Sequence, residues 1–144
     1  MSKARSMARK RAVQALYMWE ISKNDLSDIQ DEFLLEHDMG KVDMKYFKEL
    51  LHKVPAHVDV IDEEINKLLD RPMKEVDPVE RAVMRIGVYE MKYRPDVPYR
   101  VIINECVELA KTFGAEDGFK YVNSILDGVA RKLRALEIKA RKSS

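Results

Sequence analysis

Apolar residues recur along this chain at spacings of three and four, the period of an amphipathic helix, in one segment after another. Ala8, Ala12, Ala15, Leu16 and Trp19 share one face of a first helix. Asn24 and Asp25 each offer an N-cap for a second, which carries Leu26, Ile29, Phe33 and Leu34 until Gly40 interrupts it. A third segment opens after Asp43 and carries Phe47, Leu50, Leu51, Val54, Val58, Ile61, Ile65, Leu68 and Leu69. Pro55 is predicted to break or kink that segment, because proline lacks the N–H that the helix ladder needs. Arg71-Pro72 ends it, and the stretch 70–77 reads as a connection between two helical halves.

The clearest start signal is Asp77-Pro78-Val79-Glu80. Asp77 is suited to cap, Pro78 to the first helical position, and Glu80 to the capping-box place from which an acid reaches back to the cap amide. Val79, Ala82, Val83, Ile86 and Tyr89 form the buried face of this helix, and Pro95 stops it. Pro98 opens the next, along which Val101, Ile102, Cys106, Leu109, Ala110 and Phe113 recur before Gly114 offers a C-terminal cap. A last helix runs from about Asp117 through Phe119, Val122, Ile125, Leu126, Val129 and Leu133, and the basic tail beyond it is predicted to fray. The fold class is therefore all-α: a single globular domain of about seven helices, in two packed halves over 1–70 and 77–138, with a basic tail over 139–144.

Composition agrees. Gly and Pro number five each in 144 residues, and the 46% apolar content is enough for one core. The single cysteine, Cys106, excludes an intramolecular disulfide and fits a reducing compartment. No apolar run reaches the roughly 18 residues of a membrane helix, and the first residues lack a signal-peptide pattern, so the expected location is the cytoplasm. Charge changes the picture more. Residues 1–11 and residues 131–144 each carry +5, so the net +1 of the chain leaves −9 for everything between them. Two basic ends flanking an acidic middle suggest a polyanion at the ends and a cationic partner elsewhere.

Catalytic and metal chemistry finds little support. His37, His52 and His57 lack zinc-site spacing, and Cys106 sits on an apolar face with no base beside it. Glu63/Glu64 and Glu105/Glu108 read as the solvated faces of helices rather than acid–base pairs. No phosphate-binding loop or nucleophile elbow is present. The expectation is a protein that is not an enzyme and has neither metal nor cofactor.

The first helix is different, because its charges have a geometry. At about 100° per residue, Lys3, Lys10, Gln14 and Tyr17 fall within about 60° of one another, away from the apolar stripe. Cations neutralise phosphates, a Tyr ring stacks on an unpaired base, and Gln bonds a base edge, a set that favours single-stranded RNA. Arg5 and Arg9 lie near the apolar edge, placed to reach an RNA backbone from the side. The alternative is a solvated helix end whose charge is incidental.

A series of blocks runs along the chain: Arg11-Ala-Val-Gln-Ala-Leu-Tyr17 with Trp19, Tyr46-Phe-Lys-Glu-Leu-Leu51, Val79-Glu-Arg-Ala-Val-Met-Arg-Ile86 and Asp96-Val-Pro98. The series continues with Ile103-Asn-Glu105, Glu108-Leu-Ala-Lys-Thr-Phe-Gly-Ala-Glu-Asp117, Lys120-Tyr-Val-Asn123 and Leu126-Asp127. In order and at matching spacing, these blocks resemble the NusB family of bacterial transcription antitermination proteins. The resemblance implies an all-α fold in two halves and a non-enzymatic role. Proteins of this kind bind the boxA element of nascent RNA together with the ribosomal protein NusE. With other Nus factors they help RNA polymerase read through terminators, notably in ribosomal RNA operons.

Residue by residue, the resemblance assigns the basic start to Lys3, Arg5, Arg9, Lys10 and Arg11, with Gln14 alongside. Tyr17 and Glu80 correspond to positions that meet NusE, and Arg85, Phe113, Asp117, Lys120 and Tyr121 to positions on the rest of the RNA surface. Relatives often carry Phe where this chain has Tyr121, and a ring is retained. Ala4, Ser6, Met7 and Ala8 interrupt the basic run, a departure that bears on affinity more than on role. For Asp117 two readings stand, an acceptor for a base edge or a cap for the last helix. Two other tasks fit the same pattern: a domain assisting an RNA methyltransferase, or a protein scaffold or homodimer whose basic ends only solubilise it.

Overall fold

Ser2 opens the first helix. Its Oγ accepts the Arg5 N–H at 3.2 Å, and α1 runs over Lys3–Ser22 to a left-handed Lys23 that closes it. The computed structural model describes residues 2–143, so Met1 and Ser144, the outer ends of the expected segments, lie outside the described residues. α2 (Leu26–Glu36) is capped by Asp25 and α3 (Met44–Ala56) by Asp43, each through a carboxylate accepting a first-turn amide. α2 stops at Glu36, short of Gly40.

Pro55 does not break α3 where it stands. It falls in the last turn, the helix runs on to Ala56, and the break comes at His57, whose amide donates back to Lys53 and Val54. A separate α4 (Val58–Asn66) follows, so the long third segment is two helices. Residues 1–58 form one compact unit and residues 59–144 a second. In the first, α1 packs on α3 and α2, with Ala8, Ala12, Ala15 and Leu16 of α1 and Phe47, Leu50, Leu51 and Val54 of α3 buried. The small alanines let the two backbones approach closely.

In the second unit a 3-10 turn (Met73–Glu75) leads to α5 (Pro78–Tyr93), α6 (Tyr99–Phe113), α7 (Gly118–Leu133) and α8 (Ala135–Ser143). α5 is buried on nearly every side and packs on α6 and α7. Gly87 makes that fit possible: a Cβ there would lie 2.8 Å from both Leu126 methyls and 3.1 Å from Cys106 Sγ. Cys106 is fully buried, as its apolar face implies.

Two local expectations are corrected, and one cap is found where expected. The DPVE start holds, with Asp77 Oδ1 accepting from Val79 and Glu80 amides at 2.9 and 3.2 Å, but the Glu80 carboxylate does not reach back to the cap; it accepts from Ala115 N–H at 3.0 Å. Gly114 does cap α6, its amide donating to Ala110 O at 2.8 Å; its backbone is extended, and what requires glycine is space, since a Cβ would meet the Ala110 carbonyl at 2.7 Å. The basic tail, expected to fray, is α8.

Arg134 explains that last difference. It is 7% exposed at the α7–α8 junction and spreads all five guanidinium N–H groups. Nε donates to Met91 O, Nη1 to Val97 O and the Glu137 carboxylate, and Nη2 to Glu90 O and Arg94 O. Those carbonyls belong to the C-terminal end of α5 and the turn after it, where helix acceptors are left over and a cation is favoured. Glu137 in turn accepts the Tyr99 N–H at 2.9 Å, serving as the cap for α6 that Pro98 cannot provide.

Candidate nucleic-acid interface

Two patches hold the residues singled out from the sequence, one in each unit. On α1, Lys3 is exposed, Lys10 and Gln14 are half-buried, and the Tyr17 ring is 40% exposed. Arg11 turns its guanidinium to Gln14, Nη1 to Oε1 at 2.9 Å, so these two side chains position each other. Arg5 lies over the Tyr46 ring at 4.4 Å from its centroid. Arg9 is 2% exposed and stands 5.4 Å from the same centroid, which gives it a place inside the unit and turns no charge outward. The cause is α3, which brings Tyr46 against the edge of α1 where both arginines project.

The second patch is the turn between α6 and α7. Asp117 has φ 63°, a left-handed conformation that costs a non-glycine residue about 1 kcal/mol, and such positions cluster at functional sites. Its side chain makes no capping bond to α7, which removes the capping reading, and it pairs instead with Lys120 at 3.4 Å. Lys120 and Lys111 both lie beside the Phe119 ring, 5.9 and 4.9 Å from its centroid. Phe113 is half-buried at the end of α6. The Tyr121 hydroxyl donates to Asp70 at 2.9 Å, and the Arg71 guanidinium covers its ring at 4.8 Å. Arg85 is held apart from this group in a two-point pair with Asp62, at 2.9 and 2.8 Å. Its fork is occupied on both prongs.

Glu80 braces this turn from below. Its side chain is buried, 6% exposed, against Gly114 and Gly118, and a Cβ at Gly118 would fall 2.0 Å from Glu80 Oε2. Burial pushes the Glu80 carboxyl above its ordinary range, Ala115 N–H pulls it back, Asp77 raises it further and Arg71 lowers it. Glu64 is another acid that does not lie in solvent. It is 8% exposed and accepts from Lys132 at 2.9 Å and Lys67 at 3.3 Å, which hold its carboxyl below the ordinary range against the effect of burial.

Sequence reasoning missed Arg71, Asp70, Lys111 and Phe119 as members of the second patch. Arg71 and Asp70 lie in a connection with no periodicity to read, and their partner Tyr121 is some fifty positions along the chain. Lys111 and Phe119 are placed by how α6 meets α7. The three histidines have local employment: His37 stacks on Phe33, His52 bonds Gln30 at 2.7 Å, and His57 ends α3. Among the described residues no group of three His, Cys, Asp or Glu side chains is placed to hold a metal, and no helix is long and apolar enough to cross a membrane.

A family model described as the NusB family matches residues 6–131. The chain belongs to the NusB family. The transcription antitermination protein NusB of Alcanivorax borkumensis is 50% identical over 139 residues, spanning 96% of this chain and 93% of that protein. NusB of Serratia proteamaculans is 53% identical over 131 residues, 91% of this chain and 95% of that one. Among solved structures, T. maritima NusB superposes with a TM-score of 0.79 at 30% identity, covering 92% of this chain and 94% of its own. A chain in the crystal structure of a plectonemic RNA supercoil has the same fold, with a TM-score of 0.75 at 24% identity over 90% of this chain and 95% of that one. The all-α class read from periodicity is the NusB fold.

Proposed function

We propose that this protein is a non-enzymatic transcription antitermination factor that binds boxA-type single-stranded RNA together with NusE. In this role it works in the cytoplasm, within the elongation complex and beside other Nus factors, and helps RNA polymerase read through terminators, notably in ribosomal RNA operons. The observation that carries the reading is that relatives about 50% identical over nearly the full length bear the name transcription antitermination protein NusB. The α1 patch supports it: Lys3 and Lys10 suit phosphates, and Tyr17 suits a splayed base. In the second unit Lys120 and Tyr121 offer a further cation and ring. Tyr17 also serves the NusE contact, whereas Glu80, being buried, acts on that partner through the turn it braces.

The test is fluorescence anisotropy with a boxA-like single strand and a scrambled control at several salt concentrations. Lys10→Ala is expected to flatten the log K against log salt slope by ~0.7, the share of one phosphate contact on a single strand. Tyr17→Ala is expected to weaken binding by ~1–3 kcal/mol with little change in slope, as loss of one stacked base does. Binding that ignores sequence and is indifferent to both variants would contradict the proposal.

A further inference from the structure

The carboxylate of Asp70 occupies Arg71 in the manner of a bound anion. Arg71 donates from Nε to Oδ1 at 2.8 Å and from Nη2 to Oδ2 at 3.3 Å, the two-point geometry that guanidinium groups use for phosphate. The same guanidinium is stacked over the Tyr121 ring, and the Tyr121 hydroxyl donates to the same Oδ1. Asp70 and Arg71 are exposed and Tyr121 is half-buried. Arg71, and after it Tyr121, hold the Asp70 carboxyl down to about 2, so this anion is fully charged at neutral pH. Arg71 also lines a shallow cleft with Glu75, Asp77, Glu80, Glu116 and Asp117. So acidic a cleft disfavours anions, and a phosphate approaching it finds its attraction at Arg71.

We propose that Arg71 is a further RNA contact and that Asp70 is its internal competitor, standing where a backbone phosphate sits when RNA is bound. The proposal rests on the RNA-binding reading above. On binding, the guanidinium exchanges carboxylate for phosphate while staying stacked on Tyr121, which keeps it pre-positioned. One anion replaces another, so this contact releases almost no net counterion in the unaltered protein. With Asn at position 70 Arg71 loses the one carboxylate that occupies its fork, and the same contact acquires the salt dependence of an ordinary phosphate contact.

The experiment compares the protein with Asp70→Asn, Arg71→Ala and the double variant, using the boxA-like RNA over a salt series. Asp70→Asn is expected to bind roughly two- to fivefold more tightly at low salt, the scale of an exposed ion pair, with a slope steeper by ~0.7. Arg71→Ala is expected to bind more weakly and to gain nothing from adding Asp70→Asn. The proposal is overturned if Asp70→Asn leaves affinity and slope unchanged, or if it tightens binding equally with and without Arg71, which would mark a long-range charge effect only. Weakened NusE assembly with RNA binding unaltered would assign Asp70 to a protein contact and overturn it as well. Binding that depends on Lys10 yet ignores Asp70→Asn removes this inference alone, whereas no binding of RNA by the unaltered protein removes the RNA reading and this inference with it.

Discussion

Glu80 occupies the space that any side chain at Gly118 would need, and the two residues form one structural unit with the Ala115 amide. Gly118→Ala is expected to destabilise the fold by ~1–3 kcal/mol, because the buried carboxylate must leave its partner. Glu80→Ala is expected to cost a similar amount through the unpaired amide. In that background Gly118→Ala should lose most of its effect, so a double-mutant cycle in urea yields a large coupling, and additive losses would contradict the brace. The pH response has a definite sign. The folded-state pKa of Glu80 is raised above the ordinary 4.5, so its contribution to stability is greatest below pH 4.5 and declines as pH rises through the raised value. Asp70 is the opposite case: held at about 2, it contributes fully above 3.8 and loses that contribution as pH falls towards 2. Glu80→Gln keeps an acceptor without the charge. Its stability relative to the unaltered protein should be most favourable near pH 7 and should diminish as pH is lowered towards 4.5, measured by thermal melts across that range.

At the scale of elements, α8 exists because of Arg134. Replacing Arg134 by Ala takes buried donors from four carbonyls and from Glu137, and ~3 kcal/mol or more should be lost. Lys is expected to restore little, since an ammonium has three donors and no planar fork. Hydrogen exchange should then show the end of α5 and the start of α6 opening together; loosening confined to α8 would contradict the junction described above. This residue also shows where sequence reading stops. Local period made α1, α2, α3, α5, α6 and α7 legible, helped at α2, α3 and α5 by a first-turn acceptor that lies within a few positions of the apolar stripe. The same local view placed Arg134 in a fraying tail, Glu80 in a capping box and Glu64 in solvent. Their partners, Met91, Ala115 and Lys132, are 35 to 68 positions away, and nothing local marks such pairs. The candidate site divides in the same way: Lys3, Lys10, Gln14 and Tyr17 were legible as one helical face, whereas the burial of Arg9 and the pairing of Arg71 with Asp70 and Tyr121 depend on tertiary packing.

For the whole molecule, charge is the organising quantity. A chain of net +1 carries +5 at each end, the buried Arg9 and Arg134 included, and −9 between them, and on the proposed reading RNA and a basic protein meet different parts of it. Salt should therefore weaken both associations, the RNA one in proportion to its phosphate contacts. If RNA and NusE engage the protein together, linkage requires that each raise the affinity for the other by the same factor. The decisive measurement is the dissociation constant for boxA-like RNA with and without saturating NusE, paired with that for NusE with and without the RNA. The expected result is tightening by one common factor, roughly 5- to 150-fold, seen with boxA-like RNA and absent with the scrambled strand. Equal weak binding of both RNAs, unchanged by NusE, would contradict the antitermination role proposed for this protein.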